Sequence, residues 1–315
     1  MARVADLAAE TLGRPDEAVE LWQKILADDP KSEDAFEALD RLYEHTERWV
    51  DLAELIEQRM KSTVDPELIA ELSSRLGWVK GEKLGELEEA MENWQEVLRL
   101  DPKNAGALQA LRRIYSSSGQ WDKLLGVLRK LVPLQEDMTV VKKIRFELAE
   151  ILGSKLERRE EAIEAAKRAL DIEPHSADEL SRLGNIFEAN EAWQDAVSVL
   201  DQSVDLVEDN ERKMEMLLQV AVLWKDRIGK ALGAAPAYEK IPEVEPAHEE
   251  AFRAAQDIYR SSKEWRRLTQ LLESRLNNIR ERRDRLELIK EIDPQFSIWV
   301  IESNIKRRRC DAAND

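Results

Sequence analysis

Cysteine is almost absent: Cys310 stands alone in 315 residues. A disulfide needs two cysteines and a structural zinc site about four Cys/His ligands, so neither is built within one chain. Such low cysteine use fits a reducing compartment, and a cytoplasmic location is the expectation. Histidine is nearly as scarce, with His45, His175 and His248 at unrelated places. No G-x-x-x-x-G-K-[ST], H-E-x-x-H or G-x-S-x-G motif occurs. The sequence thus offers no catalytic residue, no metal site and no cofactor site. No run approaches the ~20 apolar residues of a membrane span, and the first ten residues lack the apolar core of a signal peptide. Glycine and proline number only 11 and 10. Strand signals are missing too, since no apolar/polar alternation is bounded by Asn-Gly or Asp-Gly turns. Positive charge is in deficit, 48 Lys/Arg against 65 Asp/Glu, for a net charge of −17. That balance repels phosphate backbones and anionic lipid, so neither nucleic acid nor a membrane is the expected partner.

What the chain does have is a period. Pro30, Pro102, Pro174 and Pro246 follow one another at an interval of 72 residues. Trp49, Trp121, Trp193 and Trp265 keep the same interval, as do Tyr43, Tyr115, Phe187 and Tyr259. A fixed interval with matching aromatics marks a repeat array. Each interval holds four helical segments. Residues 67–82 place Leu68, Ile69, Leu72, Leu76 and Val79 at helical spacing. Gly77 shares that face, with Ala5, Ala149 and Ala221 in its place elsewhere, so a small residue recurs where helices would approach closely. Gly13, Gly85 and Gly229 suit a left-handed C-terminal cap, a position at which the third copy has Glu157.

A second helix over 86–100 lines one face with Ala90, Trp94 and Val97 and is stopped by Asp101-Pro102. A third begins after Asn104, whose equivalents Ser32 and Ser176 are good N-caps; His248 is expected to cap less well. Its buried stripe is Leu108, Leu111, Ile114 and Tyr115. A fourth runs from Trp121 through Leu124, Leu125, Leu128 and Leu131. The paired acids Glu88-Glu89 and Glu160-Glu161 fall at helix starts, where they complement the dipole. The recurring tryptophans are expected to fill a socket between hairpins. Trp78, Trp224 and Trp299 do not recur, and Trp78 falls on the flank away from Leu72 and Leu76.

Over residues 1–292 this pattern resembles the tetratricopeptide repeat, a helical hairpin of ~34 residues. Leu180, Leu183, Gly184, Phe187, Ala196 and Leu200 carry the likeness, with Ala90, Trp94 and Pro102 in the alternate hairpins. Asp40, Arg112 and Gln256 depart from it at the position of Gly184, and the turn before Ala90 is long. The resemblance implies an all-α fold: a right-handed α-solenoid of stacked antiparallel hairpins, a superhelix with a concave surface lined by the first helix of each hairpin. It implies a non-enzymatic scaffold that binds a protein or peptide there.

The face opposite the buried stripe then nominates Glu37, Arg41 and Glu44; Gln109, Arg113 and Ser116; Ser181, Asn185 and Glu188; and Arg253, Asp257 and Arg260. Asn185 alone fits the clamp by which some relatives hold an acidic C-terminal peptide, which argues against a chaperone-tail adaptor. Residues 293–315 match no other copy, and their apolar burst from Phe296 to Ile301 reads as a terminal cap or a tail. Two alternatives stay open. One is a self-assembling array whose exposed ends dock on another copy. The other is a regulatory region of a larger enzyme, since Met1 falls half-way through the first helix of a repeat.

Overall fold

The computed structural model describes residues 14–244 and 248–278. Every regular element among them is helical. The chain forms two compact units, Met1–Arg158 and Arg159–Asp315. Unit 1 contains α1 (Pro15–Asp28), α2 (Glu33–His45), α3 (Trp49–Ser62), α4 (Pro66–Trp78), α5 (Leu87–Leu100), α6 (Ala105–Ser117), α7 (Trp121–Leu131) and α8 (Met138–Ser154). Unit 2 contains α9 (Arg159–Leu170), α10 (Ala177–Ala189), α11 (Trp193–Leu206), α12 (Asn210–Val222), α13 (Ala231–Val244), α14 (Glu249–Ser261) and α15 (Trp265–Asn278). In each unit every helix packs on its neighbours in sequence. That is the arrangement of an all-α repeat solenoid, in which each hairpin buries its apolar face only on the next.

The recurring residues form the core. Tyr43, Tyr115, Phe187 and Tyr259 are buried, as are Leu39, Leu111, Leu183 and Ala255 one helical turn before them. Each large side chain so buried contributes roughly 2 kcal/mol by area transfer. Small residues let the helices close. A Cβ on Gly77 would lie 2.9 Å from the Trp94 ring, and Ala149 and Ala221 are fully buried at the equivalent positions. Trp22 is buried, but Trp94, its equivalent, is only partly so.

Helix ends repeat as faithfully as the core. Ser32, Asn104 and Ser176 accept the N–H of Ala35, Ala107 and Glu179, and Ser176 completes a reciprocal capping box. His248 also caps, its Nδ1 accepting the Ala251 N–H at 3.2 Å. The third helix of each repeat closes in one motif four times. The N–H groups of Arg48, Gln120, Ala192 and Glu264 donate to the carbonyls of Tyr43, Tyr115, Phe187 and Tyr259. The residues just before them, Glu47, Gly119, Glu191 and Lys263, are all left-handed. This is the Schellman closure.

Helices α4 and α12 end differently, each running on into a π-helical turn, Val79–Leu84 and Leu223–Arg227. These turns absorb the extra residues before Ala90 and Ala234. Gly85 and Gly229 then take the expected left-handed backbone, and so does Glu157, although it carries a side chain. Residues 279–315, where the apolar burst from Phe296 to Ile301 falls, lie outside the described residues, as do residues 1–13, where part of a repeat's first helix is expected.

Candidate partner-binding faces

The nominated positions lie on α2, α6, α10 and α14, and most are in open view. Glu37, Arg41, Glu44, Arg113, Ser116, Asn185, Arg253 and Asp257 are exposed; Gln109, Ser181, Glu188 and Arg260 are partly covered. Several are already engaged within the chain. Arg113 pairs with Glu82 at 3.2 Å and Arg260 with Asp257 at 3.7 Å. Arg41 donates to the Glu37 carbonyl. Ser181 sits 3.3 Å from Ser203 Oγ. Among described residues nothing binds the side chains of Gln109, Asn185 or Arg253.

A polar ladder ties α2, α6 and α10 to the first helix of the next hairpin. Arg75 on α4 reaches back to Asp40 at 2.7 and 2.9 Å and to Glu44 at 2.8 Å. One repeat later the same two positions hold Arg112 and Glu147, an ion pair of reversed polarity. Two repeats on they are Gly184 and Gln219, and Gln219 instead donates to Glu188 at 2.7 Å. The departures from a small residue at Asp40 and Arg112 are therefore structural partners. Burial pushes the Asp40 carboxyl up and outweighs the pull of Arg75. Burial also works against the charge on Arg75, but the Glu44 and Asp40 carboxylates overcome it and raise the guanidinium. The two-pronged contact of the Arg75 guanidinium on Asp40 forms the pair, because arginine stays charged.

Beside this ladder the structure adds a feature that single positions did not reveal. Trp78, Gly81, Glu82, Leu87, Trp94, Ala110, Arg113 and Ile114 border a cavity of about 240 Å³ between α4, α5 and α6. Trp78 meets Trp49 edge to face, centroids 6.0 Å apart. Lys83 lies over both rings, at 4.6 and 5.2 Å. A cation also lies over two more of the recurring tryptophans: Lys155 covers Trp121 at 5.5 Å, and Arg227 covers Trp193 at 5.4 Å. The tryptophans are thus half-buried and roofed by a cation, each worth ~0.5–1 kcal/mol at such exposure. The sequence signal for the cavity is Trp78 itself. It occupies an outward position that holds Glu150 and Val222 in the other copies.

Among the described residues no group of three His, Cys, Asp or Glu could hold a metal ion. No described helix is long and apolar enough to cross a membrane. His45 is exposed, His175 contacts the Leu170 carbonyl at 2.7 Å, and His248 is a cap.

Family profiles described as tetratricopeptide repeat match residues 3–32, 107–137, 143–176 and 179–214. Among curated proteins, Superkiller protein 3 of Schizosaccharomyces pombe is 24% identical over 199 residues, 60% of this chain. The match spans 14% of that relative's length. Among solved structures, the MamA protein is similar over 58% of this chain and 94% of its own, at 20% identity and a TM-score of 0.40. YrrB, described as a TPR protein with an unusual peptide-binding site, is similar over 64% of this chain and 98% of its own, at 17% identity and a TM-score of 0.39.

Proposed function

This chain is a tetratricopeptide-repeat protein, and from that premise we infer that it is a non-enzymatic scaffold binding an extended peptide or partner helix along the first helices of its hairpins. The carrying observation is the cavity beside Trp78. It joins an aromatic wall to the Arg113 guanidinium on a nominated face, at a position the architecture does not need, since Glu150 and Val222 replace Trp78 elsewhere. Aromatic residues and arginine are the side chains on which interfaces concentrate their energy. An apolar anchor in the cavity, flanked by an acidic group on Arg113 or Arg41, is the ligand this surface fits. The net charge of −17 turns the molecule away from nucleic acid.

The test is a displayed peptide library selected on the intact chain. Selected peptides are expected to lose about tenfold or more in affinity against Trp78→Ala and against the pair Arg41→Glu, Arg113→Glu. Peptides that bind both variants as tightly as the parent would place the binding face elsewhere.

A further inference from the structure

Two cavities occupy the same place in the repeat. One, about 400 Å³, is bordered in unit 1 by Glu57, Leu76, Lys80, Glu92 and Asn93. The other, about 710 Å³, is bordered in unit 2 by Asp201, Val220, Trp224, Pro236 and Ala237. An offset of 144 residues, two repeats, carries the first set onto the second, one by one. Both are bordered mainly by the second helices of successive hairpins, α3 with α5 and α11 with α13. They are separate from the first-helix faces considered above.

In unit 1 the slot carries its own cation. Lys80 is buried, and its ammonium lies 2.7 Å from Glu57 Oε1 and also contacts Glu89. In unit 2 three substitutions coincide. Trp224 stands for Lys80, Gly233 for Glu89 and Asp201 for Glu57. The glycine is required, because a Cβ there would lie 2.4 Å from the Trp224 ring. The cation has gone and one of its two acids with it, but the other acid remains. Asp201 is half-buried and makes no direct bond to any described residue. Lys240, whose charge it feels, binds Asp205 at 3.4 Å. Burial pushes the Asp201 carboxyl up against the pull of Lys240, as expected for an acid without a close counter-ion.

We propose that the unit 2 cavity binds a lysine side chain of a partner protein, its ammonium held by Asp201 against Trp224 in the place that Lys80 fills in unit 1. A carboxylate and an indole face are complementary to a cation by charge and by quadrupole. The compact ammonium, rather than a guanidinium, is the group the equivalent slot accepts. The acidic chain draws cationic partners. Lys230 and Arg267, which also border the cavity, are exposed, so water and salt screen them.

The experiment titrates the full chain with N-acetyl-lysine amide and follows the Trp224 indole N–H by NMR, assigned through Trp224→Phe. A saturable shift is expected, with none from the Nε-acetylated probe, which keeps the length and loses the charge. Asp201→Asn, with its helical spectrum intact, is expected to bind about tenfold more weakly. Trp78→Ala is expected to leave the response unchanged, so this site and the Trp78 face fail separately. No saturable response, an equal response to the acetylated probe, a response to arginine amide alone, or full binding by Asp201→Asn overturns the proposal.

Discussion

Glutamate and lysine hold left-handed backbone at four joints of this chain, Glu47, Glu157, Glu191 and Lys263. Their equivalents Gly119, Gly85 and Gly229 do so without a Cβ. The left-handed conformation costs a side-chain-bearing residue ~1–2 kcal/mol, partly offset by the larger entropy that glycine loses on folding. Glu157→Gly and Glu191→Gly are therefore expected to raise stability by about 0.5–1 kcal/mol each, and Gly119→Glu to lower it by a similar amount. Denaturant midpoints measure this, and unchanged midpoints would remove strain from the joints.

A second residue-scale prediction concerns the recurring ring. Gln23 donates to the Tyr43 hydroxyl and Gln95 to the Tyr115 hydroxyl, each at 2.8 Å. Phe187 has no hydroxyl, and its counterpart Lys167 turns to Asp195 instead. At Tyr259 the counterpart is Glu239. Burial, then the hydrogen bond and charge of Glu239, push this hydroxyl up to about 12. The folded value lies above the ordinary 10.0, so the stability it contributes is complete below the unfolded value. It is lost as pH rises from about 10 to about 12. Tyr259→Phe should flatten that alkaline limb; an identical limb in the variant would exclude Tyr259 as its source.

At the scale of elements, the ladder between α2 and α4, and between α6 and α8, predicts a charge swap. Arg75→Glu sets three acids together and is expected to cost ~1–2 kcal/mol, the pair being only partly buried. Adding Asp40→Arg recreates the order that Arg112 and Glu147 already show and should recover most of the loss. A double-mutant cycle gives the coupling, and a coupling near zero would reduce the ladder to surface decoration. Close approach gives a companion test. Gly77→Ala drives a Cβ to 2.9 Å from the rigid Trp94 ring, whereas Gly184→Ala meets only flexible Leu200 carbons at 2.7 and 2.8 Å. Loss of ~1–3 kcal/mol is expected at Gly77 and much less at Gly184.

For the whole molecule the governing quantity is charge. A net of −17 repels itself, and that repulsion is long-ranged at low ionic strength. Raising salt from about 0.01 M to about 0.1 M shortens the screening length from ~30 to ~10 Å and is expected to raise the melting temperature. A melting temperature that falls would mean the ion-pair ladders outweigh the repulsion.

The sequence by itself determined the repeat, the helices and their ends. Period-72 aromatics, spaced leucines and the N-caps at Ser32, Asn104 and Ser176 act within a few residues or recur, so local physics and self-comparison expose them. It also marked Trp78 and Trp224 as tryptophans that do not recur. Only the tertiary structure decided what those residues touch. Pairing Asp40 with Arg75, roofing Trp49 with Lys83, opening a cavity beside Trp78 and leaving Asp201 without a close cation all depend on side chains some 30 residues apart or on different helices. Their meeting is set by how the hairpins stack. Helix propensity and hydrophobic period are one-dimensional and can be read along a chain. Which charge faces which, and where a space remains, is a property of packed surfaces, and it appears only once the helices lie against one another.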